Sequence, residues 1–174
     1  MKRWPWARPA EPQTAVLMVC MGNICRSPTA EGVLRQRLAK ADLGDAVKVD
    51  SAGTYGGHAG EPPDARMQRH ALKRGVNLSG LRARQVVADD FHRFALILAM
   101  DEQNLAALSR VQPPGTPPAR LLMSFARTAG APGEVPDPYY GGPEGFERVL
   151  DLVEDACDGL LAHLQAELQG NFRG

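Results

Sequence analysis

A three-layer α/β/α fold, with helices flanking a four-stranded parallel sheet, is the architecture this 174-residue sequence predicts. Two observations carry that expectation. Short apolar runs alternate with helical patterns along the chain, and this order implies a parallel sheet with right-handed crossovers and helices on both sides. The first run, residues 15–20 (AVLMVC), is continuously apolar, as in a strand buried on both faces.

The elements follow in order. After the first strand a helical pattern covers 28–41, and a second strand is expected around 47–51. Helical patterns at 64–74 and, briefly, at 88–94 lead to a third strand at 95–100 (ALILAM). A helix over 101–110 and a proline-rich connector at 113–118 (PPGTPP) precede a fourth strand at 120–124. The last element runs from 143 to about 169. It sets Phe146, Val149, Leu150, Val153, Ala156, Cys157, Leu160, Leu161 and Leu164 on one helical face.

A chain of this length fits a single domain, expected over 14–170. The opening residues, MKRWPWARPAEP, carry early positive charge without the apolar core of a signal peptide, so 1–13 is expected to be a flexible extension. Trp4 and Trp6 offer an anchor for it, while its three prolines argue against helix. Apolar residues make up 44% of the chain and charged residues 23%, ordinary values for a globular protein. Twenty basic and twenty acidic residues cancel, which speaks against nucleic-acid or membrane-surface binding through bulk charge. No run is long enough to span a bilayer. Cys20, Cys25 and Cys157 make a poor disulfide framework, so a reduced, cytoplasmic compartment is expected. No metal site is expected, because His58, His70, His92 and His163 are scattered and none pairs with the cysteines.

In sheets of this kind ligands bind outside the carboxyl ends of the strands. Three loops of unusual composition leave those ends, at 20–28, 51–63 and 125–143. The first carries the chemistry. A loop entering a helix N-terminus points unpaired backbone N–H groups at one spot, and the helix dipole adds positive charge. Gly22 allows the tight backbone that lets successive amides converge into an anion nest. Ser27 suits the helix cap and Pro28 the first turn. A cysteine at the rim of such a nest has its thiolate stabilised. Arg26, six residues after Cys20, offers a planar fork to a phosphate. A nucleophile beside a dianion cradle is the equipment of phosphoryl transfer.

Five segments then carry a resemblance: CMGNICRSPTAE (20–31), DSAGT (50–54), RARQV (82–86), AMDEQNL (99–105) and PDPYYGG (136–142). In order and spacing they resemble the low-molecular-weight protein tyrosine phosphatases, across residues 15 to about 165. The resemblance implies that Cys20 attacks phosphorus and carries a phosphocysteine intermediate. Arg26 and the loop of Met21, Gly22, Asn23, Ile24 and Cys25 would hold the phosphate oxygens. Ser27 would support the thiolate, and Asn23 would prop the loop with Ser51 as partner. Asp137, on a proline- and glycine-rich loop, would serve as general acid and then base. Tyr139 and Tyr140 would form a flat aromatic slot that selects an aryl phosphate. Asp101 reads as an N-cap or a support for the loop. Cys25 reads either as a buried loop residue or as a reversible disulfide partner of Cys20, and Cys157 as core.

The substrates implied are phosphotyrosine-containing proteins, with a cognate bacterial-type tyrosine kinase as candidate partner. No cofactor, nucleic acid or membrane span is implied, and the expected state is a monomer or weak dimer. Two positions depart from the family pattern. Gly57 stands where many members place an aromatic residue, so Tyr55 is expected to supply that wall. Leu81 stands where many have a histidine bonded to the loop asparagine. Three other readings are weighed against this one. An arsenate reductase would need further thiols, and none lies between Cys25 and Cys157. A phosphoarginine phosphatase tends to carry threonine where this chain has Ile24. A non-catalytic phosphate-binding or redox module would need no acid at Asp137.

Overall fold

The first strand, β1 (Thr14–Cys20), fixes the layout. In the computed structural model, which describes residues 11–171, Val16, Leu17, Met18 and Val19 are all fully buried. Both faces of the strand are covered, which is why its sequence does not alternate. It pairs in parallel with β2 (Val47–Gly53) on one side and β3 (Leu96–Ala99) on the other. A short β4 (Arg120–Leu121) adds to β3, and the sheet order is β2-β1-β3-β4.

The two faces bury different sets. Val16 and Met18 belong to the larger core, with Val33 and Leu34 of α1 (Arg26–Lys40), Met67 of α2 (Ala65–Lys73) and Phe146, Val149 and Leu160 of α5 (Pro143–Asn171). Leu17 and Val19 face the smaller one, with Phe91 of α3 (Asp90–Arg93) and Leu108 of α4 (Glu102–Val111). Adjacent strand residues thus point to opposite layers. An ionic cluster also joins α2 to α5. Arg74 meets Glu147, Asp151 at 2.9 Å and Glu154 at 3.1 Å, and these carboxylates outweigh burial in holding the guanidinium above its ordinary pKa.

Two elements differ from expectation. The fourth strand ends after two residues, and Leu122–Phe125 turns into a 3-10 helix. Leu122 and Met123 are both buried; a strand would send consecutive side chains to opposite faces, whereas the turn seats both in the same core. Helix α1 begins at Arg26 with Cys25 as N-cap, so Ser27 lies inside the helix and does not cap it. Pro28 falls in the first turn, as expected. Of the expected extension over 1–13, residues 1–10 with Trp4 and Trp6 lie outside the described residues.

The 3-10 turn packs hard against α5. A Cβ added at Gly159 would lie 1.8 Å from the carbonyl oxygen of Phe125. Alanine is the better helix former by ~1 kcal/mol, but overpacking of this kind costs about 1–3 kcal/mol. Gly159→Ala should therefore lower Tm in a thermal melt, at roughly 2–4 °C per kcal/mol lost.

Candidate active site

The segment between β1 and α1 closes on itself through Asn23. Its φ of 57° is left-handed, a geometry asparagine tolerates better than most residues. The nest expected to need a glycine conformation at Gly22 takes it one residue later. Gly22 instead makes room: a Cβ there would lie 3.1 Å from His58. The Asn23 backbone N–H donates to Cys20 Sγ at 3.3 Å. Its side-chain amide donates to Ser27 Oγ at 2.8 Å and to Ser51 Oγ at 2.9 Å, while its Oδ1 accepts the Arg84 backbone N–H at 3.0 Å. Every polar atom of the side chain is engaged.

Ser27 Oγ lies 3.0 Å from Cys20 Sγ. Because that oxygen already accepts from Asn23, its hydrogen is left for the sulfur, with Ala52 O more distant at 3.4 Å. Behind Ser51 sits Glu31, only 2% exposed. Ser51 Oγ donates to Glu31 Oε1 at 2.6 Å, and Arg35 stands 2.6 Å from the other oxygen. Burial raises the Glu31 pKa, against the opposing pull of Ser51 and Arg35.

Arg26 is almost wholly buried. Its Nη1 donates to Asp101 Oδ2 at 2.6 Å and to the Val135 carbonyl at 3.1 Å, and its Nη2 lies 3.7 Å from Asp137 Oδ2. Burial opposes the charge, but Cys20, Asp101 and Asp137 outweigh it and hold the guanidinium above its ordinary pKa. Asp101 caps α4 in a capping box with Asn104, and its other oxygen pairs with Arg26.

Cys20 and Arg26 open onto one cavity of about 230 Å³. Cys20, Cys25 and Arg26 line it together with Met21 and Ile24. Tyr55, His58, Tyr139 and Tyr140 add rings, and Asp137 joins them from the loop before α5. Cys25 is a free, buried thiol. Burial, then the nearby Asp64, Cys20 and Asp137, push its pKa far up. Cys157 is a free thiol deep in the core on α5.

A family model for the low molecular weight phosphotyrosine protein phosphatases matches residues 15–170. The chain belongs to this family. It is 46% identical over 158 residues to a low molecular weight protein-tyrosine-phosphatase of Streptomyces coelicolor, covering 89% of this chain and 96% of that one. Its identity to one from Bacillus subtilis is 40% over 156 residues, covering 89% and 98%. The crystal structure of an Entamoeba histolytica protein tyrosine phosphatase with Hepes in the active site superposes with a TM-score of 0.84 at 39% identity, covering 88% of this chain and 98% of that one.

The two departures from the phosphatase pattern have local solutions. Leu81 packs against the core, and the acceptor that a histidine would engage, Asn23 Oδ1, takes the Arg84 main-chain N–H instead. Arg84 is itself clamped by Asp50 at 3.0 Å and Asp90 at 3.0 Å. At Gly57 a Cβ would stand 2.2 Å from the Tyr55 ring, whose exposed end would have to swing aside, and Tyr55 itself lines the cavity. Three residues of this network were missed in the sequence. Glu31 and Arg84 lie within the matching segments, but nothing in the sequence marks the side of α1 that carries Glu31 as buried. His58 had no signal, since it stands alone in a glycine-rich loop.

Glu31 yields a pH test. Its folded pKa is raised, so its contribution to stability is full below the ordinary glutamate value and is lost as pH climbs through the folded value. Glu31→Gln keeps an acceptor for Ser51 without a buried charge. The Tm of Glu31→Gln relative to wild type should therefore rise between pH 4 and pH 7 (a window set by the ordinary glutamate pKa of about 4.3), as read by melts across that range.

Proposed function

We propose that this chain is a protein-tyrosine phosphatase that hydrolyses phosphotyrosine and other aryl phosphates through a phosphocysteine intermediate on Cys20. The observation that carries this reading is the convergence on one sulfur. The Asn23 N–H and the Ser27 hydroxyl both point at Cys20 Sγ, in a cavity that also holds Arg26 and Asp137.

These two contacts fix where the sulfur stands, and the thiolate is the form in which a cysteine acts as nucleophile. Cys20 Sγ attacks phosphorus, and the phosphorus–oxygen bond to the aryl group breaks. The Asp137 carboxyl passes its proton to the departing phenoxide oxygen. Arg26 and the loop amides hold the equatorial oxygens as charge redistributes. Water then attacks the phosphocysteine, Asp137 takes the water's proton, and the sulfur–phosphorus bond breaks to return the thiolate and release inorganic phosphate. Asp101 and the Val135 carbonyl hold Arg26 flat against the nest.

The target is read from the walls. Tyr55 and Tyr139 line the cavity with aromatic rings and Met21 and Ile24 add apolar surface, which suits a tyrosine side chain better than a short serine. Cys157 is buried in the core, away from the cavity, which argues against a thiol relay of the arsenate-reductase kind. Free cysteines in the cavity fit a reducing, cytoplasmic setting.

Cys20→Ser should abolish turnover of an aryl phosphate, and retained full activity would overturn the mechanism. Asp137→Ala should slow turnover by roughly 10²–10⁴-fold, the usual contribution of a general acid, while inorganic phosphate still binds as a competitive inhibitor. Steady-state assays on phosphotyrosine, phosphoserine, phosphoarginine and arsenate side by side should show the first preferred; a preference for phosphoarginine would refute the substrate assignment.

A further inference from the structure

The loop that carries Asp137 has no regular secondary structure, so individual bonds hold it together with the packing of the buried Val135 and Pro138. Before Asp137, the Val135 N–H donates to Met100 O at 2.8 Å and the Val135 carbonyl accepts from Arg26. After it, two bonds are local turns: Tyr139 N–H to Asp137 Oδ1 at 3.1 Å and Gly141 N–H to Pro138 O at 3.2 Å. Neither ties that side to the rest of the molecule. Arg66 does. Its Nη2 donates to the Tyr139 carbonyl at 3.1 Å, and its guanidinium lies 5.5 Å from the centre of the Tyr139 ring.

Arg66 is itself fixed. Asp64 accepts from its Nε at 3.1 Å and its Nη2 at 2.9 Å, and the Phe146 ring lies 4.9 Å away. Asp64 caps α2, and its backbone N–H donates to the Ile24 carbonyl in the phosphate-binding loop at 2.8 Å. A continuous bridge therefore runs from that loop through Asp64 and Arg66 to Tyr139, whose amide holds Asp137 Oδ1. The other oxygen, Oδ2, faces Arg26. An ordinary surface ion pair between Arg66 and Asp64 would contribute little, and it would not account for the bond to Tyr139.

We infer that Arg66 is a positioning residue for proton transfer: through Tyr139 it sets where the Asp137 carboxyl stands relative to the phosphate-binding loop. This rests on the proposed phosphatase reading with Asp137 as acid. The role calls for arginine, because the planar fork engages Asp64 and the Tyr139 carbonyl together, whereas a lysine offers a single point.

The test is the dependence of kcat/KM on the leaving group, since this constant covers the step in which the aryl oxygen departs. A leaving group that is stable as an anion needs no proton, whereas tyrosine does. For phosphotyrosine and phenyl phosphate, Arg66→Ala should lose about tenfold or more, a part of the 10²–10⁴ that a general acid contributes. Dinitrophenyl phosphate should change by less than about twofold, and inhibition by inorganic phosphate should be unchanged. Arg66→Lys, which retains the charge, should fall between wild type and alanine, and it carries the test if the alanine variant does not fold. Equal losses for every leaving group would overturn the inference, because that pattern is what general loosening of the fold gives. Asp137→Ala, measured in the same series, separates the two claims. If it is steep and the Arg66 variants are not, Arg66 alone is wrong; if it is flat, the acid assignment fails and the bridge loses its purpose.

Discussion

Asn23 sits in left-handed backbone geometry at the turn of the phosphate-binding loop, and its side chain has hydrogen-bond partners on every side. It ties the loop to α1 through Ser27, to β2 through Ser51 and to the 82–86 segment through Arg84. Its own N–H is spent on the Cys20 sulfur. Both amide hydrogens donate, so the two serine oxygens accept and their hydrogens are sent onward, one toward sulfur and one to Glu31. The polarity of the whole network is thus set by one side chain. A buried network of this kind is firm when every member is satisfied and costly when one is removed.

Around that frame the charges are arranged by sequence distance rather than proximity. Arg26 comes from the start of α1, Asp101 from the cap of α4, and Asp137 from the long loop before α5. A buried guanidinium without partners carries a heavy desolvation penalty. Asp101 and Asp137 relieve it, and Asp137 also lines the cavity. Folding the sheet and assembling the site are therefore the same event. Four strands must be in register before the three charges meet at its carboxyl edge.

Much of this was legible in the sequence. The continuous apolar run at 15–20 identified the central strand because only a strand covered on both faces dispenses with alternation. The strand–loop–helix setting of Cys20 and Arg26 followed from the chemistry of helix N-termini, while the inclusion of Asp137 relied on resemblance. What escaped notice was decided by tertiary contact. The short β4 gives way to a turn because Leu122 and Met123 share one core. The left-handed residue is Asn23 and not Gly22, because the side-chain bonds of Asn23 favour that geometry. Glu31 looked like an ordinary helical glutamate, and only the fold shows that its side of α1 is turned inward. Arg66 has no mark in the sequence at all, since its partner at Tyr139 is 73 positions away.

The position of the Tyr55 ring over Gly57 bears on how the mouth of the cavity responds to change. A side chain at 57 fits only if the exposed Tyr55 ring swings aside. The two positions therefore shape this side of the cavity together. A substitution at 57 would be felt through where the Tyr55 ring comes to rest as much as through the new side chain itself.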